Sequence, residues 1–238
     1  MTTTYVWLPL PLHPPFPRCP GGRRCCPHLL FLGRAVGREG DDDLRSTSFH
    51  ASGGTTAFSG GTQEIWWNPE QGLRLKASGD GKSGEMYCRD GKTYFSAVLF
   101  ADTLAQRAQP ITVPDRLNDV FVTTESGQGC DVYFTISENA EEASESGKTV
   151  DGRPATAFTV SAGGASDTYY LENETARLVR LVAERDGRTS TTDYDAVGEK
   201  VSITMPAEHR TMSMDEFRSQ VSSSGQAEDM GPHTSHDV

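Results

Sequence analysis

Between residues 62 and 206 the chain is a succession of short β-prone runs, each stopped by Gly, Asn, Asp or Pro, and this punctuation limits what it can fold into. Thr62 to Trp67 halts at Asn68-Pro69, and Leu73 to Ala77 alternates before Ser78-Gly79-Asp80-Gly81. Glu85 to Cys88 and Thr93 to Phe95 flank Arg89-Asp90-Gly91-Lys92, where Asp-Gly tolerates positive φ and marks a hairpin. Leu99 to Ala108 instead has helical spacing and is ended by Pro110 and Pro114. Val120 to Thr123 reads as another strand. Residues 130–144 fit strand and helix about equally, and Glu138 to Glu145 reads as a solvated helix or loop. Ala155 to Val160, Thr168 to Leu171, Arg177 to Ala183, Thr189 to Tyr194 and Val201 to Met205 form a second meander. The predicted class is mainly β (α+β): a curved antiparallel half-barrel of about nine strands with a short helical excursion over its concave face.

The two ends differ from this middle. Residues 1–38 hold five Arg, no acid, seven of the thirteen prolines and three of the five cysteines. No long helix or central strand tolerates prolines at 9, 11, 14, 15, 17, 20 and 27. Residues 1–45 therefore read as an atypical Pro/Arg-rich leader or a misassigned start, disordered either way. The only apolar cluster, Leu29 to Leu32, is too short for a signal peptide, and no lipoprotein processing pattern precedes Cys26. Residues 46–208 form the expected domain, and 209–238 a disordered polar tail with one helical turn at Met214 to Phe217.

Charge and histidine placement narrow the chemistry. The net charge of −11 argues against a nucleic-acid partner, because phosphate neutralisation needs clustered Lys and Arg. No apolar run approaches the length that spans a bilayer as a helix. The six histidines stand at 13, 28, 50, 209, 233 and 236, so no nucleophile–His pair or His-based zinc site forms within 51–208. Acids such as Asp80, Asp90, Asp151 and Asp186 sit at turns, where turn geometry explains them. No glycine motif opens a helix after a strand. The chain reads as a non-enzyme with no cofactor and no metal.

The run Tyr169-Tyr170-Leu171, Leu178 to Val182, Asp193-Tyr194 and Val201-Ser202-Ile203-Thr204-Met205-Pro206 resembles the C-terminal half of LolA-like bacterial envelope lipoproteins. Gln63 to Trp67, Leu73 to Lys76 and the stretch Gly84-Glu85-Met86-Tyr87-Cys88-Arg89-Asp90-Gly91-Lys92-Thr93-Tyr94-Phe95 are similar to the N-terminal half of the actinobacterial LppX/LprG-type branch. The likeness covers residues 55–206. It implies an extracytoplasmic protein of the cell envelope or a secreted one, usually anchored to the membrane by lipid. The fold it implies is a curved sheet whose cavity, in some members, holds an acyl chain or glycolipid. The N-terminus departs from the pattern, lacking leader, anchoring cysteine and a clear helix before the first strand.

In such an exported protein Cys88 and Cys130, 42 residues apart, are expected to form a disulfide, with two separate buried thiols as the alternative. Trp66 and Trp67 must point to opposite faces of their strand. Either one is core and the other covered, or the concave-facing ring lines an apolar ligand cavity with Leu73, Leu75, Tyr94, Phe121 and Tyr170 as neighbours. Two functions follow: a carrier or binder of a lipid or other apolar molecule, or an envelope interaction domain whose concave face is filled by its own side chains.

Overall fold

The computed structural model describes residues 27–55, 60–106, 108–143, 147–185 and 187–228. Its strands are β1 (Phe49–Thr55), β2 (Gly61–Asn68), β3 (Gly72–Gly79), β4 (Lys82–Arg89), β5 (Lys92–Ser96), β6 (Phe121–Glu125), β7 (Glu141–Glu142), β8 (Lys148–Val150), β9 (Arg153–Ala162), β10 (Ala165–Glu172), β11 (Leu178–Arg185), β12 (Arg188–Asp195) and β13 (Thr211–Ser213). Three helices accompany them: α1 (Pro27–Ser46), α2 (Ala97–Gln106) and α3 (Met214–Glu228). All strands belong to one open sheet, ordered β13-β6-β5-β4-β3-β2-β1-β12-β11-β10-β9-β7, with β8 also on β9. Among the described residues every pairing is antiparallel except β13 on β6.

The hairpins follow the turn chemistry. Asp80-Gly81, Asp90-Gly91, Asp151-Gly152 and Gly163-Gly164 all carry positive φ at both turn positions, the geometry that matches the twist of the flanking strands. They set two meanders, β2 to β6 and β9 to β12. Strand β1 joins these by pairing with β2 on one side and β12 on the other.

Thirteen strands replace the expected nine or so. The sequence of β1 (FHASGGT) carries no strand signal, because small residues and glycine are poor strand formers. Its glycine has a structural use: a Cβ on Gly53 would lie 1.9 Å from the Thr191 carbonyl oxygen, so only glycine lets β1 approach β12 this closely. Strands β7, β8 and β13 are two or three residues long, too short to show alternation. The expected strand Val201 to Met205 is not in the sheet. Its alternation is real, with Val201 and Ile203 buried, but it lies across a sheet face. Its backbone is held by side chains instead: Asn68 Nδ2 donates to the Val201 carbonyl at 2.8 Å, and Ile203 N donates to Gln71 Oε1 at 2.7 Å.

Both ends also depart from expectation. Residues 27–46 are helical, with Leu44 only 2% exposed. All seven prolines of the leader lie at or before Pro27, which opens α1, a position where proline is well tolerated. The tail continues as β13 and α3, where Met214, Phe217 and Val221 share one helical face. Phe217, 1% exposed, packs with Ala97, Leu117 and Val122. Residues 1–26 and 229–238 lie outside the described residues. The ambiguous stretch after Gly129 begins with a 3-10 turn, Cys130–Tyr133.

Cys88 on β4 and Cys130 are bonded, with Cα atoms 5.6 Å apart, so that turn is tied covalently to the sheet. Replacing both cysteines by serine should lower unfolding free energy by about 4 kcal/mol, from the entropy of a 42-residue loop. Urea melts of the two forms check this value, and equal midpoints would contradict it.

Candidate functional site

Antiparallel register divides the side chains into two sets. Phe49, Trp67, Leu73 and Cys88 face one another in turn across β1 to β4, as do Ala51, Ile65, Leu75 and Met86. These residues belong to the main core with Tyr169, Leu171, Leu178 and Tyr194 from the second meander. Leu44 of α1, Leu99 of α2, and Cys130, Phe134 and Ile136 cover the same face. This is the inner face. The outer face carries Trp66, Tyr87, Tyr94 and Phe121 with Val201 and Ile203 lying over them, and Tyr170 with Val150, Ala155 and Val179.

Of the seven expected cavity residues, Trp67, Leu73 and Leu75 share the inner face. Trp66, Tyr94, Phe121 and Tyr170 lie on the outer one and do not join them. The sequence placed the two tryptophans on opposite faces but held no register between strands, so the list mixed both sides. It missed Phe49, Phe134, Phe158, Tyr169 and Tyr194, the rings that complete the inner floor and its cover. Tyr194 and Phe49 were accessible in principle, as aromatic positions in β-prone sequence, but only the β1 pairings unite them.

The centre of the inner face is an aromatic stack. Phe134 meets Phe49 edge-on at 5.1 Å and Trp67 at 4.9 Å, and Phe49 meets Tyr194 at 5.3 Å. Trp67 Nε1–H donates to the Arg45 carbonyl at the end of α1, at 3.1 Å. Burial pushes the Tyr194 phenol well above its ordinary value, and also that of Tyr169, which keeps a backbone hydrogen bond with Ser137. Toward one end the lining turns polar. Asp167, 8% exposed, takes both carboxylate bonds from Arg185 Nη2 at 2.6 and 2.7 Å.

The roof has two unlike halves. The segment from Cys130 to Ile136 is fixed by the disulfide and by Phe134 in the stack. Among the described side chains of α1, residues 37–46, polar latches link the C-terminal half of the helix to its neighbours. Arg45 pairs with Asp41 and with Asp131, each at 2.8 Å, and Arg177 pairs with Asp43 at 3.4 Å. The Asp41 carboxylate also accepts the Ile136 N–H at 2.9 Å. The Arg45 side chain is 44% exposed, so each of its ion pairs contributes about 0.2–1 kcal/mol. Leu44 is the buried apolar residue of α1 among its described side chains, worth roughly 1.5–3 kcal/mol. At Gly40 the helix touches the sheet: a Cβ there would lie 2.5 Å from Leu171 Cδ2 and 2.7 Å from the Ala176 carbonyl oxygen. Beside this contact a cleft of about 340 Å³ opens between α1 and the fixed roof, with Arg38, Asp41, Arg45 and Asn139 at its wall and Ile136 and Phe158 beneath. Among the described residues no group of His, Cys, Asp and Glu is arranged to hold a metal.

No protein-family model matches this sequence, and no curated protein does. Similar solved structures include LprF from Mycobacterium bovis, at 11% identity and TM-score 0.43, covering 74% of this chain and 97% of that one. The Mycobacterium tuberculosis lipoprotein LppX gives 11% identity and TM-score 0.43 over 73% and 98%. A LolA superfamily protein from Nitrosomonas europaea gives 7% and 0.31 over 76% and 97%. These are the same lipoprotein and LolA groups that the strand-and-turn pattern resembles. At such distances nothing about activity is carried over from them.

Burial raises the Asp41 carboxyl above its unfolded value of 3.8, only partly offset by the Ile136 N–H and Arg45. The folded state therefore favours the protonated form. That contribution is fully present below pH 3.8 and is lost as pH rises through the folded value. The stability difference between the natural protein and Asp41→Asn should accordingly favour the natural protein more at about pH 3.5 than at pH 7. Urea melts of both at the two pH values test it, and a constant difference would refute it. Trp67→Ala should cost about 3–5 kcal/mol in the same assay, as a large ring removed from a packed core.

Proposed function

We propose that this protein is a non-enzymatic, extracytoplasmic binder or carrier of a lipid or other apolar molecule, taken up between the inner face of the sheet and α1. The asymmetric roof carries this reading. An apolar floor is covered on one side by a disulfide-tied segment and on the other by the C-terminal half of α1, whose described residues are attached through Leu44, the ion pairs of the part-exposed Arg45 and the indole hydrogen bond to the Arg45 carbonyl. Lifting this half of α1 would uncover Trp67 and Leu171 while the Cys130 segment stays tied. The cleft beside Asp41 already separates the two halves of the roof. The described state is then the closed one, with the Phe134–Trp67 stack filling the space that a chain would take. The disulfide supports an oxidising compartment, since such bridges persist outside the cytosol. A membrane association would come through delivery of the ligand, or through an anchor of the kind found in LolA-like lipoproteins.

The same stack favours a second reading, an envelope interaction domain whose inner face is permanently filled. Native mass spectrometry of the full chain, exported from a GC-rich Gram-positive host, separates the two. The carrier reading expects a discrete added mass that organic extraction removes. It also expects Arg45→Ala, which frees the end of α1, to speed uptake of a fluorescent fatty acid several-fold. A bare protein whose tryptophan emission ignores added fatty acid and phospholipid, in both forms, would leave the filled-core reading.

A further inference from the structure

Helix α1 meets the sheet unevenly along one of its sides. Positions 37, 40 and 44 are three and four residues apart and therefore share that side. At Leu44 it is filled, the side chain being buried in the main core. At Gly40 it is in contact, since a Cβ would overlap Leu171 Cδ2 and the Ala176 carbonyl oxygen. At Gly37 it stands over open space: among the described residues, a Cβ there would meet nothing within 4 Å beyond its own helix. Gly37 lies inside α1 and has no positive φ, so the backbone does not demand a glycine at this position.

The wall facing Gly37 is fixed. Ala140 N donates to the Ser137 carbonyl at 2.9 Å, Asn139 N to the Ser137 hydroxyl at 3.3 Å, and Ala143 N to the Ala157 carbonyl at 2.8 Å. Glu141 and Glu142 of β7 pair with β9. The cleft of about 340 Å³ between this wall and α1 has a graded lining. Arg38, Asp42, Glu138 and Asn139 are exposed and make its rim, while Asp41 and Arg45 are already engaged in the latch. Beneath the rim lie Ala140, half-buried, and Ile136 and Phe158, both buried in the main core. Ile136 follows Phe134 by two residues, and Phe158 faces Tyr169 in register. The floor of the cleft is therefore continuous with the aromatic inner face.

We infer that the gap at Gly37 is the portal through which the chain of an apolar ligand reaches the inner face, and that Gly37 sets the width it admits. This rests on the carrier reading above and locates its point of entry. Entry at Leu44 or Gly40 would require separating packed atoms, whereas at Gly37 there is no such contact to break. A polar rim above an apolar floor suits an amphiphile that enters chain first, because its head stays in water and loses no hydrogen bonds. A side chain placed at residue 37 would stand in the passage while α1 keeps its seat at Gly40 and Leu44. Such an obstacle hinders entry and exit alike and leaves the bound state, further in, as it was. Uptake and release then slow by one factor, and affinity, their ratio, is preserved.

The test follows a fluorescent fatty acid by stopped flow in the full exported chain, comparing the natural protein with Gly37→Ala, Gly37→Leu and Gly37→Trp. Uptake and release should both slow in order of side-chain size, by about tenfold for Leu, the scale of forcing extra atoms through packed space. The dissociation constant should stay within about twofold. Melting temperatures should equal or exceed that of the natural protein, because glycine is a poor helix former and nothing opposes the new side chain. Gly40→Leu, in contrast, should lower the melting temperature, since its side chain has no room. Unchanged rates in Gly37→Trp overturn the portal and leave the carrier reading standing. Weaker binding at an unchanged uptake rate also overturns it, making residue 37 part of the pocket instead. So does a melting temperature lowered as far as that of Gly40→Leu, which would mean the gap is already filled. A natural protein that takes up no probe and has a bare native mass removes the carrier reading, and the portal with it.

Discussion

The pairing of β1 with both β2 and β12 is the constraint on which the structure depends. Each meander alone is a local object, built from hairpins whose turns the chain encodes residue by residue. Strand β1 turns them into one sheet and brings Trp67 of the first beside Tyr194 of the second, through Phe49. It can do so because Ala51 and Gly53 present almost no side chain where the backbones are closest. A larger residue at Gly53 would meet the Thr191 carbonyl, so the central strand is also the least strand-like in composition.

From that sheet follow two faces with different physical characters. The inner face is apolar and aromatic, covered by helices and by a turn bonded to β4 through Cys88. The outer face is a ladder of alternating rings and charges, partly covered by the Val201–Met205 segment. Strand alternation makes the separation strict, since a single-residue slip would exchange the two sets. The apolar inner face and the packed outer ladder therefore lie back to back on one sheet, with Trp67 in the first and Trp66 in the second.

Charge is used mainly at the edges of the inner face. Asp41, Arg45 and Asp131 join α1 to the fixed half of the roof, and Asp167 with Arg185 closes its polar end. The Arg45 links orient more than they stabilise, because ion pairs of a half-exposed side chain contribute little, whereas Asp167 and Arg185 are largely buried.

Much of this was legible in the residues themselves. The mainly β class, the Asp-Gly hairpins, the helix after β5, the two meanders and the opposed tryptophans all follow from local rules of turn chemistry and side-chain period. The helices at either end were hidden by their surroundings, α1 behind a proline-rich stretch and α3 within a polar one, although Met214, Phe217 and Val221 carried its spacing. What tertiary structure alone decided is register and partnership. It set β1 between the meanders, laid Val201 to Met205 on a face instead of an edge, and sorted Trp67, Leu73 and Leu75 from Trp66, Tyr94, Phe121 and Tyr170. Local sequence fixes the period with which side chains alternate, whereas which face is inner depends on contacts between segments far apart in the chain.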